Sequence, residues 1–158
     1  LIESATGVRD APDAAAVGTV DALCFGAEDL TADLGATRTA EGTEVLYARE
    51  RVVVAARAAG VDAVDTVHTD LDDDAGLRAA TEFAATLGYD GKMVVHPDQV
   101  PVVAEAFAPD PGRVAWARRV LDASDAAGGG VFEVDGEMID APLLARAERI
   151  LDRAGEAE

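Results

Sequence analysis

Lysine and cysteine are almost absent from this chain: its 158 residues contain one of each, Lys92 and Cys24. A single cysteine excludes an intramolecular disulfide and a metal site built from several thiolates. The position of Cys24 in an apolar segment favours a buried structural thiol over a nucleophile. No apolar segment approaches the roughly 20 residues that a membrane-spanning helix needs, and no basic start leads into an apolar leader. These absences predict a cytoplasmic protein without a membrane partner.

Basic residues are also scarce. The chain has 13 of them against 31 acidic residues, which gives a formal net charge of -18. An acidic, lysine-poor surface is typical of a halophilic protein, since concentrated salt screens the repulsion between carboxylates. An ordinary acidic cytosolic protein is the alternative. The same negative charge repels the phosphate backbone of nucleic acids, so we expect no nucleic-acid partner.

Short apolar segments alternate with long alanine-rich helical patterns. Residues 20–26, 62–68 and 92–96 have strand-like composition, and each is followed by apolar residues at helical spacing. Two of the helical patterns end at Gly60 and Gly88, where a C-terminal cap belongs. Strands and helices in this alternation predict an α/β fold with a parallel sheet.

The last third of the chain departs from this alternation. After Phe107 the pattern indicates a helix, a short hairpin turning at Asp135 and Gly136, and a second helix. We therefore divide the chain into residues 1–108, which carry the strand and helix units, and residues 109–158, a C-terminal extension of helix, hairpin and helix.

Polar residues fall where the predicted strands end, and in parallel α/β folds functional groups collect at those ends. Glu3 and Asp29 lie about one βα unit apart, and Glu28 precedes Asp29. Neighbouring strands run about 4.8 Å apart, so both carboxylates could reach one hard cation such as Mg²⁺. On spacing alone, a helix cap or a solvated acid remains open for either residue. His68 and His96 have no supporting ligands, and they do not make a zinc site.

Four sequence blocks, in order, carry a resemblance to a known family. The blocks are LIESATGVRDA, FGAEDLTADLGATRT, GYDGKMVVHPDQV and GEMIDAPLLARA. They resemble the citrate lyase β-subunit and malyl-CoA lyase family, in the HpcH/HpaI superfamily of Mg²⁺-dependent aldolases. The resemblance implies a TIM (β/α)8 barrel, of which this chain supplies roughly the C-terminal half. The first half of the barrel, with the arginine that holds the substrate in the family, is not in the sequence.

The resemblance also implies residue roles. Glu3 matches the acid of the family's I-E-[ST] block, and Asp29 matches the second acid of its G-x-[ED]-D block, so both are expected to be Mg²⁺ ligands. Asp140 matches the acid of the G-x-M-I-D-x-P block, which moves a proton on the CoA ester and reaches an adjacent subunit in family trimers. Because Asp140 precedes Pro142, a helix-capping role is the alternative, and both roles are compatible.

The implied activity is Mg²⁺-dependent cleavage or formation of a carbon–carbon bond in CoA esters of the malyl-CoA, methylmalyl-CoA or citryl-CoA type. A 2-keto acid chelated by the metal and an acetyl-CoA enolate are the implied reaction partners, and the implied assembly is a homotrimer or hexamer. A malyl-CoA thioesterase that uses the same site and a noncatalytic CoA-ester-binding subunit remain alternatives. No residue is assigned to CoA itself: Arg38 and Lys92 fit an anchor for its phosphate or for a carboxylate, but equally fit ordinary surface or strand-end charges.

Overall fold

The structure is a computed structural model that describes residues 1–128 and 130–155. The described residues form two compact units, and the division falls between Phe107 and Ala108. Each unit has its own apolar core. Among the described residues, no helix combines the length and the apolar character that crossing a bilayer requires.

A parallel sheet forms the centre of the first unit. Its strands β1 (Ala22–Cys24), β2 (Asp62–Asp65) and β3 (Gly91–Lys92) lie side by side in that order. At the carboxyl ends of the last pair, Asp65 lies opposite Lys92. The parallel α/β arrangement predicted from the alternation of strands and helices is therefore present.

Helices connect these strands, and glycine ends the longer ones. Gly60 and Gly88 stand directly after two of the helices with positive φ angles of 72° and 102°, a conformation that glycine adopts without steric strain. A short 3-10 turn, Thr43–Val45, precedes the helix that ends before Gly60. The helices of this unit are α1 (Ala5–Arg9), α2 (Ala11–Ala15), α3 (Ala27–Leu34), α4 (Leu46–Ala59), α5 (Asp74–Leu87) and α6 (Gln99–Phe107).

Apolar side chains of the sheet and of the helices make a single core in this unit. Leu23 of β1 and Ala63 of β2 are buried together with Val52 of α4. Phe25, just beyond β1, is fully buried, and burying one such side chain contributes about 1.5–3 kcal/mol. Cys24 is only half-buried, because neighbouring strand residues point to opposite faces; the expectation of a buried thiol is wrong to that extent.

The third strand is shorter than the predicted strand over residues 92–96. The backbone N–H of Met93 makes the last bond to the neighbouring strand, at 2.9 Å from the carbonyl oxygen of Asp65. The N–H of Val95 instead donates to the side-chain oxygen of Gln99 over 2.9 Å. Because this bond turns the chain toward α6, Val95 leaves the sheet and is 52% exposed.

The second unit consists of two helices and a hairpin. Strands β4 (Phe132–Val134) and β5 (Glu137–Ile139) are antiparallel, and the turn between them uses positive φ angles at Asp135 (54°) and Gly136 (83°), as the Asp-Gly pair predicts. Ile139 is fully buried in the core of this unit. The flanking helices are α7 (Pro111–Ala127) and α8 (Ala141–Arg153).

Candidate functional site

Glu3 lies directly against the first turn of α3. Ile2 forms a parallel bridge with Phe25, in which the N–H of Ile2 donates to the oxygen of Cys24 over 2.7 Å and the N–H of Gly26 donates to the oxygen of Ile2 over 2.9 Å. A Cβ atom at Gly26 would lie 2.8 Å from the Cβ of Glu3 and 3.1 Å from its Oε2. Only glycine leaves room for the Glu3 side chain at this point.

The residues that follow Glu3 fix its position from the other side. The Ser4 side chain caps α1 by accepting a hydrogen bond from the N–H of Gly7 over 3.1 Å. The N–H of Ala5 donates to the Oδ2 atom of Asp33, on α3, over 2.7 Å. The backbone at Glu3 is therefore held between a strand bridge and a capped helix, beside the start of α3.

Asp29 belongs to the first turn of α3, next to Glu28, and its side chain is exposed. The cap residue of this helix is Gly26, and the following N–H, that of Ala27, donates to the Oγ1 atom of Thr66 over 3.0 Å. Asp29 is thus the third residue of the helix and not its cap residue. A carboxylate in the first turn is favoured by the helix dipole, and its exposure leaves its oxygens accessible to a ligand.

The donor atoms at the head of α3 fit a hard cation. Glu3 and Asp29 offer only carboxylate oxygens, which Mg²⁺ prefers, and Mg²⁺ usually keeps several water or substrate oxygens as well. In the described part of the chain, no cluster of three or more His, Cys, Asp or Glu side chains is placed to hold a metal ion. The Glu3 carboxylate lies beside Gly26, the cap residue of the helix whose first turn carries Asp29. The pair suits Mg²⁺ with open positions, and the role of both residues stays a prediction.

Arg38 connects Glu28 to Glu44 beside this turn. Its Nε atom lies 3.0 Å from Oε1 of Glu28, and its Nη1 donates to Oε1 of Glu44. The Thr39 hydroxyl, 2.7 Å from Oε2 of Glu44, is the main reason that the pKa of Glu44 falls to about 2, and Arg38 adds to the effect. Burial alone would lower the pKa of Arg38, but its bonds to the two glutamates raise it. Arg38 is therefore engaged by two acids of the protein itself.

A cleft of about 580 Å³ opens beside Glu28, and buried charges line its floor. Asp65 is fully buried and accepts bonds from Nε of Arg49 at 3.1 Å and from Nη2 of Arg49 at 2.8 Å. The Nζ atom of Lys92 lies 2.9 Å from Oδ2 of Asp65 and 2.6 Å from the carbonyl oxygen of Thr66. Two cations thus share one carboxylate at the carboxyl ends of β2 and β3.

The surroundings of this buried cluster restrict its proton chemistry. Burial lowers the pKa of Lys92, although the Asp65 carboxylate opposes the shift. Burial, followed by the charge of Asp65, raises the pKa of Tyr89, whose hydroxyl donates to the carbonyl oxygen of Arg49 over 3.0 Å. The Arg49 guanidinium also lies 5.0 Å from the centre of the Phe83 ring. The Lys92 side chain is consequently buried and paired with Asp65 at the end of β3, so the interpretation as a strand-end charge is confirmed and the interpretation as a surface charge is wrong.

The two histidines do not come together at a metal site. His68 borders the cleft, with its Nε2 atom 3.5 Å from Oδ2 of Asp73, and its carbonyl oxygen accepts a bond from Gln99 over 2.9 Å. His96 is exposed, and its Nδ1 accepts a bond from the N–H of Asp98 over 3.2 Å. His68 thus contacts the start of α5 and α6, whereas His96 is bonded within its own loop; the rejection of a zinc site stays a prediction.

Asp140 belongs to the second unit and caps α8. Its Oδ1 atom accepts a hydrogen bond from the N–H of Leu143 over 3.2 Å, and the side chain is half-buried. Pro142 stands in the first turn of the helix, where its missing N–H leaves no bond unmade. The capping role of Asp140 is therefore observed. Its relation to Glu3 and Asp29, which lie in the first unit, stays a prediction.

The buried cluster of Arg49, Asp65 and Lys92 was missed by sequence reasoning. A signal was present, because Asp65 occupies a strand position that should face the core, two residues after buried Ala63. Alternation along the strand therefore predicts a buried carboxylate, which requires cationic partners. The only lysine of the chain stands at the end of the next strand, where it could have been proposed as one partner.

Comparisons with known proteins agree on one family. Residues 1–97 match the family described as HpcH/HpaI aldolase/citrate lyase. A citrate lyase subunit beta-like protein of Deinococcus radiodurans is 46% identical over 153 residues, 95% of this chain and 54% of that protein. The mitochondrial citramalyl-CoA lyase of Homo sapiens is 41% identical over 138 residues, 85% of this chain and 41% of that protein.

A solved structure is similar in fold as well as in sequence. The crystal structure of the protein CitE from Mycobacterium tuberculosis, in complex with magnesium, acetoacetate and coenzyme A, aligns with a TM-score of 0.83 and 40% identity. The alignment covers 97% of this chain and 59% of that chain. The chain thus spans about half the length of the relatives that it matches.

Proposed function

Because the chain belongs to the HpcH/HpaI aldolase/citrate lyase family, we propose that its protein is a Mg²⁺-dependent carbon–carbon lyase of CoA esters. The substrates would be of the malyl-CoA, methylmalyl-CoA or citryl-CoA type, with a 2-keto acid and an acetyl-CoA-type fragment as the cleavage products. The name of the human relative, a citramalyl-CoA lyase, and the magnesium, acetoacetate and coenzyme A in the solved structure support this class.

The observation that carries the proposal is the contact between Glu3 and the head of α3. Gly26 has no side chain, and the Glu3 carboxylate occupies the space beside it, at the turn that carries Asp29. Glu3 and Asp29 would hold Mg²⁺. When bound, the ion would supply Lewis-acid polarisation of a keto-acid carbonyl. Glu28 would stay on Arg38, which keeps its charge away from the incoming carboxylate of the substrate.

Asp140 would move the proton at the carbon beside the thioester. In the direction of bond formation its carboxylate would accept a proton from that carbon, and in the direction of cleavage it would return the proton there. The cap bond to the N–H of Leu143 fixes Oδ1, so the carboxyl group has a defined orientation. A neighbouring subunit of a homotrimer or hexamer would present this acid to the site.

The fold proposal follows from the same comparison. We assign residues 1–108 to the second half of a TIM-barrel domain and residues 109–158 to a C-terminal extension. Parallel strands in consecutive order support the assignment, since each strand of such a barrel pairs with the next one. The protein would act in the cytoplasm.

Incubating the complete protein with malyl-CoA and Mg²⁺ tests the reaction. A lyase releases glyoxylate and acetyl-CoA, and this is the expected result; citramalyl-CoA and citryl-CoA assayed in parallel would define the preferred ester. Malate with free CoA would identify a thioesterase instead. Saturable binding of an ester that stays intact would identify a noncatalytic binding subunit.

Variants of the ligands test the site. Glu3→Gln and Asp29→Asn should each weaken Mg²⁺ binding at least about tenfold, equivalent to about 1.4 kcal/mol, because a neutral amide replaces a charged ligand. Asp13→Asn, at an exposed acid in the first turn of α2, is the matched control and should bind Mg²⁺ normally. Asp140→Asn should abolish turnover while it leaves Mg²⁺ affinity unchanged. Unaltered metal titrations in both ligand variants would remove the proposed metal site.

A further inference from the structure

Two aspartates of α3 lie one helical turn apart on the same side of the helix. Asp29 and Asp33 are the third and seventh residues of α3, and residues four apart on a helix share a face. Both are exposed, whereas Leu30 and Thr31 between them are buried. The partner that Asp33 contacts therefore shows which part of the molecule the Asp29 face of the helix is turned toward.

The partner of Asp33 lies on the segment that carries Glu3. The Oδ2 atom of Asp33 accepts a hydrogen bond from the backbone N–H of Ala5 over 2.7 Å, two residues after Glu3. Ala5 is the first residue of α1, where a backbone N–H has no acceptor within its own helix. The Ser4 side chain does not supply one, because it accepts from the N–H of Gly7. Asp33 therefore joins its face of α3 to the Glu3 segment.

Other contacts hold α3 at different points. The N–H of Ala27 donates to Oγ1 of Thr66 over 3.0 Å and fixes the head of the helix to the chain that follows β2. Glu28, on another face of the helix, is bonded to Arg38 over 3.0 Å. The bond made by Asp33 fixes a further side of the helix, one turn beyond the head.

We propose that Asp33 is a positioning residue for the metal site. Its bond to Ala5 holds the Asp29 face of α3 against the Glu3 segment and so keeps the two carboxylates within reach of one ion. This inference rests on the proposed function, because it takes Glu3 and Asp29 as the Mg²⁺ ligands. Asp33 itself is not a ligand in this arrangement, since the Ala5 N–H occupies its Oδ2 atom.

Two substitutions of Asp33 separate its hydrogen bond from its charge. Asp33→Ala removes both and should weaken Mg²⁺ binding about tenfold, as is typical when a group that orients a metal ligand is removed. Asp33→Asn keeps an acceptor oxygen without the charge and should bind Mg²⁺ nearly as tightly as the unaltered protein. Asp13→Ala, which removes an exposed acid of α2, is the control for the loss of one negative charge.

Calorimetric titration of the complete protein with Mg²⁺, at one salt concentration and without substrate, measures these affinities. Normal affinity in Asp33→Ala would overturn the proposal. Equal weakening in Asp33→Ala and Asp33→Asn would also overturn it, because the charge and not the bond would then matter. The same conclusion would follow if Asp13→Ala weakened binding as much as Asp33→Ala.

The donor of the bond can be removed independently. Ala5→Pro deletes the N–H at the first position of α1, where proline is favoured, and the extended backbone of Ser4 suits a residue before proline. This variant should weaken Mg²⁺ binding about as much as Asp33→Ala, and the double variant should lose nothing further, because both changes remove one bond. Additive losses would contradict the bond as the cause. If Asp33→Ala does not fold, normal affinity in Ala5→Pro would overturn the proposal.

Asp29→Asn in the same titration separates this inference from the proposed function. Weakened binding in Asp29→Asn with normal binding in Asp33→Ala would overturn the role of Asp33 and leave the metal site and the lyase proposal standing. Unaltered binding in Asp29→Asn would remove the metal site and, with it, the role of Asp33. Because turnover is not measured, the result does not depend on which CoA ester the protein accepts.

Discussion

The carboxylates of this chain occupy two contrasting environments. Asp29 lies exposed at the head of α3, whereas Asp65 is fully buried behind the end of β2 and held by two cations. The exposed acid keeps its hydration, which a hard metal ion can displace. The buried acid has lost its water and requires its protein partners. The same side chain can thus serve ligand binding or internal pairing, and its surroundings decide between these roles.

Withdrawing salt should have the largest effect, because it acts on all exposed carboxylates together. With a formal net charge of -18, dilution from molar to millimolar salt removes screening between surface acids and should lower the melting temperature and the activity. Thermal unfolding at a series of KCl concentrations measures the effect. The same melting temperature and full activity in salt-free buffer would contradict the halophilic interpretation.

Replacing the buried acid should have the largest effect of any single substitution. Asp65→Asn leaves Arg49 and Lys92 buried without their counter-charge, and breaking a buried pair in this way costs about 3–5 kcal/mol. Asp29→Asn should change the free energy of unfolding by no more than about 0.5 kcal/mol, as is usual for exposed positions. Denaturant unfolding in molar salt gives both values. Equal values for the two variants would remove the distinction between the environments.

Filling the space beside Glu3 should affect metal binding more than stability. Gly26→Ala places a methyl group 2.8 Å from the Cβ of Glu3, so the Glu3 carboxylate must move away from α3, and Mg²⁺ affinity should fall at least about tenfold. The backbone itself tolerates alanine, since φ at Gly26 is -112°. Gly18→Ala, where a built Cβ meets no atom within 4 Å, is the control for calorimetric Mg²⁺ titration. Normal affinity in Gly26→Ala would show that the position of Glu3 does not matter for the metal.

Glu44 lies in an intermediate environment. Replacing it should change the free energy of unfolding less than Asp65→Asn does, and the change should depend on pH. The Thr39 hydroxyl and then Arg38 hold its pKa at about 2, below the ordinary value of 4.5. Its charged form therefore stabilises the fold fully above pH 4.5, and this contribution is lost as pH falls toward about 2. The difference in unfolding free energy between the unaltered protein and Glu44→Gln should shrink over this range. A difference that stays constant with pH would contradict the assigned pKa.

Sequence patterns predicted the local structure better than the long-range polar contacts. The glycine caps at Gly60 and Gly88 and the turn at Asp135 and Gly136 follow from local backbone preferences, which neighbouring residues largely determine. The strand after Lys92 is shortened where the N–H of Val95 donates to the side-chain oxygen of Gln99, and strand propensity alone does not predict such a bond.

The candidate site shows the same difference between local features, which the sequence predicts, and long-range contacts, which it does not. Placing Glu3 and Asp29 near strand ends required only the alternation of strands and helices. Their proposed roles and that of Asp140 came from the family resemblance, because spacing alone left a cap or a solvated acid open. The cluster around Asp65 joins residues of α4, β2 and β3, and no local pattern encodes which distant partner a buried charge will find.

Because the only lysine of this sequence is buried, the rate of cleavage after it measures how often this part of the structure opens. A protease that cuts only after lysine has a single target peptide bond in this sequence, the one after Lys92, and the lysine side chain is 2% exposed. Cleavage must therefore wait until β3 separates from its neighbour, and its rate measures how often this part of the sheet opens under native conditions. Trypsin-like proteases, which also cut at the arginines, would not isolate this event.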